Sequence, residues 1–225
     1  MSKTSLSVLS TIILIIGLSA TSPAPAFDTS AKQAFLIDFD TNQVLFEKDA
    51  DVLMPPASMS KIMTAYLAFE EIKNGRLSLD DKILISENAW RKGGSKMFVK
   101  VNDEVKVSDI LRGIIVQSGN DAAIALAEHL QGSEAAFADK MTKKARELGL
   151  KKANFKNATG WPDEEHKITA RELGLLAQLT IKNFPDLYPI YAEKTFTFNN
   201  IKPVSYTHLR AHETDSYLVC RLLLE

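Results

Sequence analysis

The sequence is poor in cysteine and histidine, the residues that most often build cross-links and metal sites. Cys220 is its only cysteine, so an internal disulfide is excluded. The four histidines, at positions 129, 166, 208 and 212, show none of the spacings that bind zinc. We therefore expect no metal, and no motif indicates another cofactor.

The sequence also lacks an excess of charge of either sign. It contains 27 Lys and Arg residues against 28 Asp and Glu residues, which gives a formal net charge of -1. A nucleic-acid-binding protein needs a surplus of basic residues to neutralise phosphates. Because neither a surplus nor a basic run is present, nucleic acid is not expected as a partner.

Long hydrophobic runs are missing as well, and the most apolar stretch lies near the N-terminus. Lys3 precedes the apolar residues 12–18, and Ala24-Pro25-Ala26 supplies small residues at the spacing that a signal peptidase recognises. The apolar stretch is shorter than the roughly 20 residues that cross a bilayer. We therefore predict a cleaved signal peptide at residues 1–26, an exported protein, and a mature chain that begins near Phe27.

The remaining composition, 45% hydrophobic and 24% charged, is that of an ordinary globular domain. Apolar runs at 34–39 and 43–48 flank a cluster of turn-forming residues and predict a β-hairpin. Residues 195–198 resemble a further strand. Apolar residues at helical spacing predict five helices, which begin at Ser58, Ser108, Asn120, Ser133 and Thr169. This order of elements predicts an α+β fold.

Ser58 and Lys61 form the first candidate catalytic pair. A serine hydroxyl is a weak nucleophile until a neighbouring base removes its proton. Residues three apart share one face of a helix, so Lys61 is placed to act as that base if burial depresses its pKa. Free amides in the first helical turn add donors for an oxyanion. However, about one Ser-x-x-Lys is expected by chance in a chain of this length.

Ser118-Gly119-Asn120 is a second polar cluster, in the loop predicted between two helices. Its hydroxyl can relay a proton, and its amide can hold a substrate carbonyl. Taken alone, a Ser-Gly-Asn sequence is usually only a turn. The cluster gains weight from its position, because it follows a Ser-x-x-Lys pair by 60 residues.

The two clusters, in this order, resemble the first two signatures of the penicillin-recognising serine enzymes. Further similarity lies at 56–64, 94–99, 112–122 and 157–162. These stretches resemble the low-molecular-mass penicillin-binding proteins, which are serine-type D-alanyl-D-alanine carboxypeptidases of the peptidase S11 type. The resemblance covers about residues 27–202. It implies the serine transpeptidase and β-lactamase-like fold, in which an antiparallel sheet packs with a helical block.

The resemblance also implies a function and a location. The substrates would be peptidoglycan stem peptides that end in D-Ala-D-Ala, and the enzyme would work in the periplasm. Ser58 would attack the penultimate carbonyl with Lys61 as the base, Ser118 would pass a proton toward the leaving amine, and Asn120 would orient the substrate. β-Lactams would acylate the same serine.

The sequence departs from this family pattern near its C-terminus. It contains no Lys-Ser/Thr-Gly, the third signature, which relatives carry on a sheet strand that binds the substrate carboxylate. We interpret residues 203–225 as a non-native tail and residues 27–202 as a catalytic domain with an incomplete sheet. A truncated, inactive relative that at most binds peptidoglycan is therefore an alternative.

Other enzyme classes fit with differing success. A class A β-lactamase typically has Ser-Asp-Asn, whereas Gly119 occupies the place of the aspartate here, and no Glu-x-x-Leu-Asn segment is present. A Ser-His-Asp hydrolase typically has a Gly-x-Ser-x-Gly elbow, which is also absent, and we interpret His129 and His166 as structural. A D,D-endopeptidase stays open, because the same nucleophile serves both reactions.

Overall fold

The computed structural model describes residues 29–201. The predicted signal peptide and the predicted non-native tail lie outside the described residues. None of the helices between residues 29 and 201 combines the length and the apolarity that crossing a bilayer requires.

Six short strands and six α-helices make up the described part of the chain. The strands are β1 Ala34–Ile37, β2 Val44–Lys48, β3 Leu53–Met54, β4 Lys82–Leu84, β5 Glu104–Lys106 and β6 Ile168–Thr169. The helices are α1 Lys61–Lys73, α2 Glu87–Arg91, α3 Val107–Ile115, α4 Asn120–Gln131, α5 Glu134–Glu147 and α6 Ala170–Asn183. Two 3-10 turns, Ala57–Ser60 and Tyr188–Ala192, complete the set.

The strands form three antiparallel pairs, β1 with β2, β3 with β6, and β4 with β5. The predicted hairpin is confirmed, with Ala34 opposite Lys48 and Phe35 opposite Glu47. Within residues 29–201 the three pairs are not joined into one sheet. The mixture of antiparallel strands and helices confirms the predicted α+β class.

The strand predicted at 195–198 is not formed. Phe198 pairs only with Ile201, through a tight turn in which Asn199 and Asn200 have positive φ angles. A strand needs a neighbouring strand for its backbone groups, and the described residues supply none to this run. An alternation of Thr and Phe was therefore not sufficient to predict a strand.

Helix α1 is the centre of the core, in contact with α3, α4, α5 and α6. Ten of its 13 residues are buried, and Met63, Leu67 and Phe69 have no exposed surface. A helix that is apolar on nearly every side belongs in a protein interior. Helix α4 is rich in alanine and contacts α1. Its small side chains allow the two helices to pack closely.

The start of α1 differs from the prediction. Ser58 was predicted in the first turn of the α-helix, but it lies in the 3-10 turn Ala57–Ser60 that precedes Lys61. Ala57 has a φ of +48°, which a regular α-helix does not allow, so the α-helix cannot extend back through the start of this turn. The nucleophile candidate is therefore on a separate, tighter turn than the base candidate.

The predicted starts of α4, α5 and α6 are confirmed, whereas α3 begins at Val107, one residue before the predicted Ser108. Ser133 accepts a hydrogen bond from the amide of Ala136 and caps α5, and Thr169 accepts one from the amide of Glu172 and caps α6. Thr169 and Glu172 have the Thr-x-x-Glu spacing of a capping box, but only the threonine half of the box is made. The Glu172 carboxylate uses Oε1 to accept from the amide of Lys152, and its buried Oε2 has no hydrogen-bond partner.

Glu71 links the last turns of α1 to α5. Its carboxylate accepts hydrogen bonds from Arg76 and, at 2.8 Å, from Lys140. The bond from Arg76, supported by that from Lys140, lowers the pKa of Glu71 to about 2, although burial opposes this shift. Lys144 adds a second bond between the two helices, at 2.8 Å from Glu70.

The depressed pKa of Glu71 makes this link dependent on pH. It stabilises the fold above the ordinary pKa of 4.5 and is lost as the pH falls toward 2. We expect Glu71→Gln to lower the free energy of unfolding by about 1–2 kcal/mol at pH 7, since the exposed Arg76 is partly screened. Urea unfolding at pH 7, 4 and 3 should show this difference shrinking. Glu87→Gln, at an exposed ion pair, is the control, and a difference that stays constant with pH contradicts the prediction.

Candidate active site

Lys61 lies at the centre of the candidate site. It is the first residue of α1 and only 5% exposed. Its Nζ atom is 2.8 Å from Asn120 Oδ1, 2.8 Å from the carbonyl oxygen of Thr159 and 3.4 Å from Ser58 Oγ. The structure thus brings together the two predicted clusters and adds a third segment that the clusters did not include.

The surroundings of Lys61 favour its neutral form. Burial lowers the pKa of Lys61 to about 7, although the negative charges of Asp121 and Glu134 partly oppose this. A neutral amine has two hydrogens and one lone pair. If the hydrogens bond to Asn120 and Thr159, the lone pair is left for the hydroxyl of Ser58. The 3.4 Å separation is long for a hydrogen bond, as is common before substrate binds.

Ser58 is exposed at the surface beside this buried amine. The preceding residue, Ala57, has a φ of +48°, which costs an L-amino acid about 1–2 kcal/mol. Gly160 packs against the other side of the same turn, where a Cβ atom would lie 1.7 Å from the carbonyl oxygen of Ala57. Only glycine fits position 160 without displacing the turn that carries Ser58.

The segment 158–161 is shaped by the side chain of Asn157. Its Oδ1 atom accepts hydrogen bonds from the amides of Thr159, Gly160 and Trp161, at 3.2, 2.8 and 2.9 Å. This arrangement directs the carbonyl of Thr159 toward Lys61. The sequence similarity at 157–162 indicated a functional segment. It did not indicate the contact with Lys61, because that contact is made by a backbone carbonyl, which every residue type has.

Asn120 joins the second cluster to the site. Its side-chain oxygen accepts from Lys61, and its side-chain nitrogen donates to the carbonyl of Gly93 at 2.9 Å. Its backbone N–H donates to the carbonyl of Ser95 at 2.7 Å. The predicted loop between α3 and α4 is confirmed, with Asn120 as the first residue of α4. Asn120 therefore connects Lys61 to the loop at 93–95.

Ser118 is placed in the same loop with a φ of +55°. Its Oγ atom is buried and has no hydrogen-bond partner. No direct hydrogen bond therefore joins it to Ser58 or Lys61. A buried hydroxyl without a protein partner is costly.

Asp121 is a site residue that the sequence did not reveal. Its buried carboxylate accepts hydrogen bonds from three successive amides, those of Met97, Phe98 and Val99, at 3.0, 2.9 and 3.3 Å. These bonds fix the loop that packs on Asn120. Next to Asn120 in sequence, Asp121 resembles an ordinary residue of a helix start, so its long-range role was hidden.

Strained backbone is concentrated around the site. Eight non-glycine residues in the described chain have positive φ, and five of these are Asn or Asp, which tolerate it. The other three are Ala57, Phe98 and Ser118. Each lies in one of the segments that surround Lys61, and such strain is typical of functional sites.

The two histidines in the described chain do not contact Ser58. His129 is exposed on α4, and the ring nitrogens of His166 bond to Ser60 and Lys156. Between residues 29 and 201, no three His, Cys, Asp or Glu side chains converge to hold a metal ion.

Comparison with known proteins identifies the family. The D-alanyl-D-alanine carboxypeptidases of peptidase S11 match residues 19–217. The chain belongs to this family. The carboxypeptidase DacF of Bacillus subtilis is 44% identical over 152 residues, which are 68% of this chain and 39% of the relative. The chain spans about half the length, or less, of the curated carboxypeptidases that it matches.

Solved structures of the family share the fold. The carboxypeptidase DacD of Francisella tularensis is 42% identical with a TM-score of 0.76, over 80% of this chain and 43% of that one. Penicillin binding protein 5 of Haemophilus influenzae is 36% identical with a TM-score of 0.79, over 83% and 55%. The expected penicillin-binding serine peptidase fold is confirmed.

Two further relatives are named for an endopeptidase activity and for penicillin binding. The D-alanyl-D-alanine endopeptidase of Escherichia coli is 33% identical over 74% of this chain and 52% of its own. Penicillin-binding protein D2 of Listeria monocytogenes, solved in an ampicillin-bound form, is 29% identical with a TM-score of 0.71, over 83% and 75%.

Gly160 and Gly149 provide a matched test of the contact behind Ser58. Their φ angles are +80° and +83°, so alanine at either position incurs left-handed strain of about 1–2 kcal/mol. Only Gly160 has a neighbour within 4 Å of the added methyl group. We expect Gly160→Ala to cost about 1–3 kcal/mol more than Gly149→Ala, measured by urea unfolding. Equal costs would show that the contact with Ala57 is not tight.

Proposed function

We propose that the chain is the nucleophile-bearing part of a serine D-alanyl-D-alanine carboxypeptidase that acts on peptidoglycan stem peptides. Ser58 is the nucleophile, Lys61 the general base, Ser118 a proton relay and Asn120 a substrate-orienting residue. The observation that carries the proposal is the burial of Lys61, with Nζ held at 2.8 Å by both Asn120 and Thr159 and facing Ser58.

The proposed reaction has two halves. Ser58 Oγ attacks the penultimate carbonyl carbon while Lys61 Nζ accepts the hydroxyl proton, and the resulting oxyanion is stabilised by backbone N–H groups. The bond to the terminal D-alanine then breaks as its nitrogen receives a proton, relayed by Ser118. This leaves an ester on Ser58, which water hydrolyses to regenerate the hydroxyl.

Asn120 and the exposed position of Ser58 set how a substrate approaches. The Asn120 side chain is hydrogen-bonded both to Lys61 and to Gly93. A substrate amide that binds Asn120 is therefore held in a fixed position relative to the base. Exported stem peptides and β-lactams would reach Ser58 directly from solvent. We propose a periplasmic location, supported by the predicted signal peptide, and covalent inhibition by β-lactams, supported by the ampicillin-bound relative.

Ser58 is tested by covalent labelling with a fluorescent penicillin. We expect Ser58→Ala to abolish labelling, because the acyl bond forms on its Oγ atom, while circular dichroism stays unchanged. Ser78→Ala, at an exposed position away from the site, is the control and should label normally. Labelling that survives Ser58→Ala would exclude Ser58 as the nucleophile.

Lys61 is tested by the pH dependence of acylation. Only the neutral amine accepts a proton, so the rate should rise with pH and reach half its plateau near the pKa of about 7. Lys61→Arg keeps the charge but removes the base and should reduce the rate by about 10²–10⁴-fold. Lys143→Arg, exposed on α5, is the control. A rate independent of pH between 5 and 9 would argue against Lys61 as the base.

Two alternatives predict different products. A D,D-endopeptidase, as the Escherichia coli relative is named, would cleave cross-linked muropeptides in preference to linear ones. An inactive relative, suggested by the missing Lys-Ser/Thr-Gly, would release no D-alanine from either substrate. Incubation with linear pentapeptides and with cross-linked muropeptides separates the three: a carboxypeptidase releases D-alanine from the pentapeptide, an endopeptidase releases muropeptide monomers from the cross-linked substrate, and an inactive relative releases neither.

A further inference from the structure

His166 is a buried imidazole that the proposed reaction does not use. It is 2% exposed, and its ring packs edge-on against Phe155 with centroids 5.5 Å apart. Both ring nitrogens have partners. The amide of Lys156 donates to Nδ1 at 3.3 Å, and Nε2 lies 2.8 Å from Ser60 Oγ.

These partners select one form of the ring. Because Nδ1 accepts an N–H, the proton of the neutral imidazole must be on Nε2, which then donates to Ser60 Oγ. Burial lowers the pKa of His166 to about 4, although Asp163 opposes this, so the ring is neutral at pH 7. Ser60 Oγ accepts the hydrogen bond from His166, and its own hydroxyl hydrogen is donated to the carbonyl oxygen of Ala57 at 2.8 Å.

The carbonyl of Ala57 and the amide of Ser58 belong to one peptide group. That group is planar and trans, so its C=O and N–H bonds point in opposite directions. A hydrogen bond that fixes the Ala57 oxygen therefore fixes the direction of the Ser58 N–H. It also polarises the peptide, which makes this N–H a stronger donor.

We propose that His166 is a positioning residue, which acts through Ser60 and Ala57 to aim the Ser58 N–H at the oxyanion formed during acylation. The inference rests on the proposed function, because acyl transfer at Ser58 is what generates that oxyanion. It assigns a role in the site to a residue 108 positions downstream of the nucleophile.

The strain at Ala57 explains why such support is needed. At a φ of +48°, Ala57 gains free energy by relaxing to an ordinary conformation, which would rotate the peptide group. Gly160 limits this rotation from one side by contact with the Ala57 oxygen. The hydrogen bond from Ser60, itself held by His166, restrains the same atom with a defined direction.

The first test measures acylation of the full 225-residue chain by a fluorescent penicillin. His166→Leu removes both ring nitrogens at similar volume, and Ser60→Ala removes the linking hydroxyl. We expect each to slow acylation about tenfold to a hundredfold, the effect of small misplacements at a reacting centre. His166→Gln, whose amide nitrogen replaces Nε2, should recover part of the rate. His129→Leu, at an exposed histidine, is the matched control.

The double variant shows whether the two residues act through one chain of bonds. If they do, His166→Leu combined with Ser60→Ala should be no slower than the slower single variant. Losses that multiply would show independent effects and would overturn the inference. The inference would also be overturned if His166→Gln were acylated as slowly as His166→Leu, because restoring the hydrogen-bond donor would then not restore the acylation rate.

The second test does not depend on catalysis. In the isotope-labelled chain, the amide resonance of Ser58 should shift in His166→Leu and in Ser60→Ala, and should stay in place in His129→Leu. An unchanged Ser58 amide in both variants overturns the inference. A wild-type chain that penicillin does not label refutes the proposed function, and with it the role at the oxyanion. Normal labelling with unaffected variants refutes the role of His166 alone.

Discussion

The site depends on how the amine of Lys61 is held once it is removed from water. Two uncharged oxygens, from Asn120 and Thr159, bind it directly. The carboxylate that most strongly favours the charged form of Lys61, that of Asp121, is occupied by backbone amides and acts on Lys61 only through its charge. A carboxylate in direct contact would keep the lysine charged. Uncharged ligands leave burial as the dominant effect, and the resulting pKa of about 7 is what the proposed role of Lys61 as a base requires.

Three separate pieces of chain must be held against their own preferences to build this environment. Ala57, Phe98 and Ser118 all have left-handed backbone conformations. Groups outside their own segments restrain the first two of these residues. Asp121 binds the amide of Phe98, and Gly160 makes room for the carbonyl of Ala57. The rigid core around α1 provides the surface against which these restraints act.

Much of the fold followed from local patterns, whereas the site followed only in part. Helix starts such as Ser133 were predictable because a cap and an apolar repeat are read within a few residues. Ser58 and Lys61 were found as a pair three residues apart, but the second cluster and the family resemblance were needed to distinguish that pair from chance. Thr159 was not, because it contributes a backbone carbonyl that every residue has. His166 was not, because its partner Ser60 is 106 residues away, and sequence spacing does not show such contacts. The strand predicted at 195–198 failed because pairing depends on a neighbour.

The ligands of Lys61 also connect reactivity with folding. Asn120 is 59 residues away from the lysine and Thr159 is 98 residues away, so no short stretch of chain can assemble the base. In an unfolded chain the lysine is hydrated and charged, and the serine beside it is an ordinary alcohol. The proposed nucleophile would therefore be unreactive in any unfolded chain, including one that crosses a membrane, and would become reactive only where the chain folds.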